Sequence, residues 1–363
     1  MEGEVRSARR RAVTLHDVAR EAGVAVSTVS RALSDPERVN VTTREHVQAI
    51  ARELGYRPNR LARALPTGRT GMVAVLVPDI TNPHNFGLVR GAEAQARAAG
   101  STLIIADTQG GPELESLHLD RLGSSVDGFV LASSRLPDGE LRTLAERSPV
   151  VLFNRRVDGL ASLVTDSADG SRQIVEHLLA LGHRSLAYLA GPSASWSDGE
   201  RWRALSEHAE AAGARIVRCG PFAPTLDGGP AAADVGLATG ATALIAFNDL
   251  LAIGVLRRLA ERGIAVPGQL SVVGYDDIFG SDFCSPPLTT VAGPVDEAGR
   301  ALVDVLLSGR EPAPTITLAT HLRVRASTGA VPGAERGDRP AGPPDSPGRP
   351  IGETVRDSRE EPR

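Results

Sequence analysis

The sequence predicts an all-α head of three short helices followed by an α/β core of two parallel-sheet subdomains. Two patterns carry this reading. Between Thr14 and Leu54 apolar residues recur at helical spacing. From Met72 onward short, continuously apolar runs alternate with amphipathic stretches, as expected of parallel strands covered by helices on both faces.

In the head, the first helix begins at Thr14, with Asp17 three positions on in capping-box spacing, and turns Leu15, Val18 and Ala19 inward. It stops at Ala22-Gly23, where glycine permits a sharp turn. The second helix runs from about Val26 to Ser34, with Val29, Ala32 and Leu33 on its apolar side. A third is predicted from Thr42, with Glu45 as a box partner and Val47, Ile50, Ala51 and Leu54 on one stripe. Helix, glycine-containing turn, helix and supporting helix make up the helix-turn-helix plan.

The segment from Asn59 to Leu65 is helical in pattern, ends at Pro66 and is followed by a TGRTG linker. A helix this short needs a partner, because nucleation is costly and few hydrogen bonds follow it. Eight strands are then predicted, MVAVLV, TLIIA, GFVLA, VVLF, SLAYLA, ARIV, ALIAF and SVVGY. Beyond Val331 the chain is rich in Pro, Gly and charge and has no periodicity, the signature of disorder. The expected division is a basic arm over residues 1–13, the helix-turn-helix domain over 14–58 and a hinge with linker over 59–70. The core then occupies 71–329 and a tail 330–363.

Charge divides along the same line. Residues 1–70 hold 13 Arg against 8 acidic residues, a balance of +5, while the remainder holds 27 against 36, a balance of −9. A basic head on an acidic body implies that the head alone meets a polyanion. The chain has no lysine, which excludes a Walker phosphate loop and a pyridoxal Schiff base. No GxSxG, HExxH or strand-following GxGxxG occurs, and the 8 histidines show no metal-ligand spacing. No catalytic residue, cofactor or metal is therefore expected, and the pair Asp276-Asp277 is the one hint of acid-base chemistry. Cys219 and Cys284 form no CxxC pair, which fits a reducing compartment. The arginines near the N-terminus precede no apolar segment, and no run is long enough to span a membrane, so a soluble cytoplasmic protein is expected.

In open α/β sheets ligands bind beyond the carboxyl ends of the strands. Asp79, Asp107, Asn154, Asn248 and Asp276 stand at such positions. Carboxylates and amides together suit a polyhydroxylated ligand, a sugar or nucleoside, whose hydroxyls both donate and accept. For any one of these residues a helix cap is the competing role, and Asp249 is read as a cap rather than a ligand.

The blocks TLHDVAREAGVAVSTVSRAL, TREHVQAIARELGYRPNRLARAL and TGRTGMVAVLVPDITNP, followed in order by LGHRSLAYLAGP, AFNDLLAIGVLRRL, VPGQLSVVGYDD and PPLTTV, resemble the lactose-repressor (LacI) family over about Thr14 to Gly329. The resemblance implies a periplasmic-binding-protein-like core and a homodimer on a pseudo-palindromic double-stranded operator, with a small-molecule effector in the core cleft. It implies that Val26, Ser27 and Arg31 read bases, with the Arg31 fork best suited to guanine. Thr14, Ser27, Thr28, Ser30 and Asn59 suit phosphates. Leu65 falls at the family's minor-groove wedge, with Arg60 and Arg63 beside it, although packing on a dimer mate is an alternative for Leu65.

Motif by motif, the resemblance assigns effector contacts to Asp79, Asn154, Arg201, Asn248 and Asp276, with Arg201 also suited to an anionic group. It makes Asn82, Phe86, Arg156 and Trp196 cleft lining. His84 is a cleft or surface residue. The chain departs from the pattern at Ala292-Gly293, where many relatives have a polar contact, and at NPHNF, where an aromatic pair is commoner. A sugar-binding receptor or an enzyme on the same two-lobed fold is the alternative; the basic head argues against the first and the missing motifs against the second.

Overall fold

The computed structural model describes residues 13–34, 36–56, 69–309 and 313–331. The head comprises α1 (Leu15–Ala22), α2 (Val26–Ser34) and α3 (Val41–Glu53). Thr14 caps α1 as a complete capping box: its Oγ1 accepts from Asp17 N at 3.3 Å while its own N–H donates back to Asp17 Oδ2 at 2.9 Å. Gly23 ends α1 in the left-handed conformation, φ +65°. Val18, Ala19, Val29, Ala32, Val47, Ile50 and Ala51 from the three helices share one small core. The expected cap of α3 is corrected. Asn40 holds that place, accepting from Thr42 N at 3.0 Å, so the helix starts one residue before Thr42.

The core is built on β1 (Met72–Val77), β2 (Thr102–Asp107), β3 (Phe129–Ala132), β4 (Val150–Phe153), β5 (Ala161–Thr165), β6 (Ser185–Leu189), β7 (Arg215–Cys219), β8 (Ala243–Ala246), β9 (Ser271–Tyr275), β10 (Thr289–Ala292), β11 (Thr315–Leu318) and β12 (His321–Arg323). They form two six-stranded sheets, in the orders β11-β5-β4-β3-β1-β2 and β12-β10-β9-β8-β6-β7. All described pairings are parallel except β10 with β12.

Burial explains why the strands read as unbroken apolar runs. Val73, Val75 and Val77 of β1 enter one core and Ala74 and Leu76 the core on the opposite face. Ala187 and Leu189 of β6 likewise face one way and Leu186 and Tyr188 the other. Strands buried on both faces alternate between cores rather than between core and water.

The covering helices are α4 (His84–Ala98), α5 (Pro112–Leu122), α6 (Asp138–Ala145), α7 (Ser167–Ala180), α8 (Trp196–Ala211), α9 (Gly229–Ala238), α10 (Asp249–Glu261) and α11 (Val295–Ser308). The chain passes between the two lobes three times, after β5, after β10 and after β11. The first and third crossovers lie side by side: Asp166 N donates to Leu318 O at 2.9 Å and Thr320 Oγ1 donates to Asp166 O at 3.0 Å.

The second crossover returns the chain to the first lobe as α11, which lies against α4 at glycines. A Cβ on Gly91 would sit 2.0 Å from Asp296 O, and one on Gly299 2.1 Å from Leu88 O. Gly91→Ala is therefore expected to destabilise the core by about 1–3 kcal/mol through overpacking. Gly139→Ala, where nothing lies within 4 Å, leaves the melting temperature unchanged or slightly raised. Thermal melts of the two variants test this, and equal melting temperatures would show that the helices can part freely.

Candidate functional site

Between the lobes, at the carboxyl ends of the strands, lies a cavity of about 380 Å³. The first lobe lines it with Asp79, Asn82, His84, Asp107, Ser133, Arg135, Phe153 and Asn154, and the second with Ser195, Ser197, Arg201, Phe247, Asn248 and Asp276. Two phenyl rings among hydroxyls, amides and charges make the wall partly apolar and partly polar. Such a wall suits a small organic molecule bearing several polar groups.

Arg201, on α8, is buried and organises the second-lobe wall. Its guanidinium carbon lies 3.5 Å from the Tyr275 ring centre and 5.0 Å from that of Phe247. Nη1 donates to the Phe247 carbonyl and Nη2 to Asp276 Oδ1 at 3.2 Å, while Nε is buried with no partner among the described residues. One side chain thus ties α8 to the ends of β8 and β9. Opposite, His84 Nδ1 is 3.8 Å from Asp276 Oδ1, a contact from one lobe to the other, and its ring runs nearly parallel to Phe153.

The cavity rim is also where the backbone is strained. The non-glycine residues with positive φ among those described are Gln109, Ser133, Asn154, Asp276 and Asp277; the first four line the cavity and the fifth follows one of them. Side chains rarely tolerate that region, so such positions mark places where surrounding structure fixes the conformation for a purpose. Asn154 is held there because its Oδ1 accepts from Thr165 N at 3.0 Å and Thr165 Oγ1 at 3.1 Å. Asp276, at φ +113°, points its carboxylate at Arg201.

Next to this wall sits Asp249, completely buried. The structure corrects its expected role: the cap of α10 is Asn248, whose Oδ1 accepts from Leu251 N at 3.0 Å while Nδ2 donates to Pro224 O at 3.0 Å. Asp249 accepts instead from Thr290 Oγ1 at 2.6 Å and Ile278 N at 2.9 Å, bracing the loop after β9. Gly274 makes room for it, since a Cβ there would meet Asp249 Oδ1 at 2.1 Å. Burial, reinforced by the Asp276 charge, pushes the Asp249 carboxyl well above the usual carboxylate range, and its two hydrogen bonds only partly offset this.

In the head, Ser27, Ser30 and Arg31 stand exposed along α2, opposite the face that packs inward, with Val26 and Thr28 half-buried beside them.

The head matches the model of bacterial regulatory proteins of the lacI family over residues 14–59, and a periplasmic binding protein-like domain matches over 175–328. The transcriptional repressor CytR of Escherichia coli is 30% identical over 335 residues, covering 88% of this chain and 98% of its own. Among solved structures, a lac repressor dimer bound to operator and the anti-inducer ONPF superposes with a TM-score of 0.80 at 29% identity, over 88% of this chain and 100% of that one. A complex of the regulator CelR with cellobiose does so with a TM-score of 0.65 at 31% identity, over 87% and 99%. The chain belongs to the lacI family. It is a transcriptional regulator with a helix-turn-helix head, not an enzyme.

Within this lacI-family regulator the cavity brings together Asp79, Asn82, Asn154, Arg201, Asn248 and Asp276. Phe86, Arg156 and Trp196 do not line it. Phe86 is 49% exposed in shallower grooves outside, Arg156 is exposed, and Trp196 is half-buried at the start of α8. Thr14, assigned to a phosphate, has its hydroxyl already donating to Asp17 Oδ2 at 2.7 Å. Asn59, Arg60, Arg63 and Leu65 lie outside the described residues, as do most of the arm and all but the start of the tail.

Sequence reasoning missed Arg135, Phe153, Phe247, Ser133, Ser195 and Ser197. The strand-end rule that picked out Asp79 and Asp276 also reaches Ser133 and Arg135, three residues or fewer beyond β3. Ser195 stands in capping spacing to Asp198, which marks a helix start but not a cavity wall.

A raised native pKa at Asp249 means that its contribution to stability is present below the ordinary carboxylate pKa of about 4 and is lost as pH rises through the native value. The melting temperature of the wild type is therefore expected to fall relative to that of Asp249→Asn as pH rises from about 4 to about 8. Parallel melting curves across that range would contradict it.

Proposed function

We propose that this regulator is a repressor that binds a pseudo-palindromic operator as a homodimer and releases it when a sugar or nucleoside fills the cavity. One observation carries the reading: the head that presents Arg31 belongs to the same chain as a polar, aromatic-lined cavity at the strand ends of two lobes joined by three crossovers. The relatives support it, one being a dimer on operator DNA and another a regulator holding cellobiose.

On DNA, Val26, Ser27 and Arg31 read base edges in the major groove, and Thr14, Thr28, Ser30 and Asn59 set the register on phosphates. Thr14 then exchanges its contact with Asp17 for one with DNA or acts through its capping role alone. Leu65, flanked by Arg60 and Arg63, is the minor-groove wedge. With operator DNA as its partner, the protein acts in the cytoplasm.

The proposed effector set is Asp79, Asn82, Asn154, Arg201, Asn248 and Asp276. Asn154 and Asn248 use their Oδ1 atoms within the protein, so they face the ligand as donors, Asn154 with its amide group and Asn248 with the one N–H that is not given to Pro224 O. Asp79 and Asp276 supply acceptors. That mixture matches hydroxyls, and the two phenyl rings cover the apolar faces of a sugar or base. Binding across the cleft favours one relative position of the lobes, and release of DNA follows only if that position disfavours paired heads.

Selection of bound sequences from random duplex DNA at fixed salt, with and without a panel of sugars and nucleosides, tests the proposal. A palindrome is expected to enrich and to be lost in the presence of one compound. Arg31→Ala should relax one position in each half-site, at a cost of about 1–3 kcal/mol. Binding that is sequence-independent and indifferent to the whole panel would overturn the proposal.

A further inference from the structure

The Arg135 guanidinium feels the charge of Glu115 but forms no hydrogen bond or ion pair with it among the described residues. It lines the cavity from the loop after β3, and its Nε and Nη1 are buried with no hydrogen-bond partner among the described residues. The nearby charges are otherwise engaged. Arg201 is bonded to Asp276 and the Phe247 carbonyl, Arg155 to Asp138 at 2.6 Å, and Arg218 to Asp198. Of the lining carboxylates, Asp79 accepts from Thr81 N at 2.8 Å and Thr81 Oγ1 at 2.6 Å, and Asp107 accepts from Gln109 N at 3.0 Å.

Glu115 does not fill the gap. Its Oε2 accepts from the Arg135 backbone N–H at 3.0 Å, which fixes the loop and lends a nearby charge but leaves the buried Nε and Nη1 without a hydrogen-bond partner among the described residues. A buried donor left unmade is expensive, and more so when it is charged. Such a group persists where a ligand completes it.

We infer that the effector carries an oxyanion, a carboxylate or a phosphate, which seats on Arg135. This deepens the proposed function and rests on the cavity being the effector site. The planar guanidinium fork matches either group with two parallel hydrogen bonds. The surroundings agree. Ser195 and Ser197, at the start of the 16-residue α8, line the same cavity, where the end of a helix favours negative charge. Burial pulls the Arg135 guanidinium below its ordinary pKa, a penalty on the charge that a bound anion would offset. The ligand class that meets these demands is a sugar acid, a sugar phosphate or a nucleotide, with its hydroxyls toward Asn154, Asn248 and Asp276.

Calorimetric titration of the full chain with matched sets tests the inference: D-glucose, D-gluconate and D-glucose 6-phosphate; D-ribose, D-ribonate and D-ribose 5-phosphate; uridine and uridine 5′-monophosphate. In at least one set the anionic member should bind roughly tenfold to a hundredfold tighter than its neutral parent, the range expected for a hydrogen bond to a charged group. The carboxylate and phosphate arms tell the two groups apart. Arg135→Gln should abolish the difference and Arg135→Lys restore part of it. The ligand-free Arg135→Gln variant should melt no lower than the wild type, because it loses an unpaired buried charge; a guanidinium that merely held the loop would lower the melting temperature when removed. A neutral parent that binds as tightly as its anions, in the wild type and Arg135→Gln alike, overturns the inference while leaving the cavity as the effector site. Failure of every neutral and anionic probe to bind overturns the effector reading and this inference with it.

Discussion

The cavity depends on the burial of one guanidinium. Arg201 lies between Tyr275 and Phe247, with Asp276 and a backbone carbonyl as its acceptors, and so joins α8 to the ends of two central strands. A charge removed from water is tolerated only if its partners are fixed, and removing one partner of such a pair costs about 3–5 kcal/mol. The same requirement orders the neighbourhood. Asp276 must hold an unfavourable backbone angle to present its carboxylate, and Asp249 must brace the loop that carries it. This wall of the cavity is therefore held in place by contacts within the protein.

What the wall touches reaches further than the cavity. Asp277, next in the chain after Asp276, pairs with Arg325 at 2.6 Å and with Arg323 at 2.8 Å, on and just beyond β12, the strand that follows the third crossover. Across the cleft, His84 lies within 3.8 Å of Asp276 and sits at the start of α4, which packs glycine against backbone on α11. Asp276 thus adjoins both the strand that closes the second sheet and the helix pair of the first lobe. A small difference in lobe position is carried by rigid, closely packed elements, the physical condition for one site to bias another.

The parts legible in the sequence were those that obey a periodicity or a local rule. The three head helices follow from the spacing of Val18, Val29 and Val47 and their companions, and all eight strands expected from apolar runs are present. β5, β10, β11 and β12 are not among those eight runs. β11 and β12 alternate exposed and half-buried residues and are short, so their pattern is that of a loop, and they become strands by pairing with partners far away in the chain. The same limit applies to the site. Asp79 and Asp276 stand at strand ends and are visible to a positional rule, whereas Ser195 and Ser197 reach the cavity only because α8 of the second lobe starts opposite Asn154 of the first. The choice of Asn40 over Thr42, and of Asn248 over Asp249, as helix caps rests on hydrogen bonds that differ by one or two residues of register, finer than composition resolves.

If the head and the cavity are thermodynamically linked, each must alter the affinity of the other reciprocally. Operator affinity should be measured with and without a saturating ligand, and affinity for that ligand with and without saturating operator. Both affinities are expected to change by the same factor and in the same direction. A ligand that fills the cavity tightly while leaving operator affinity unchanged would contradict this linkage.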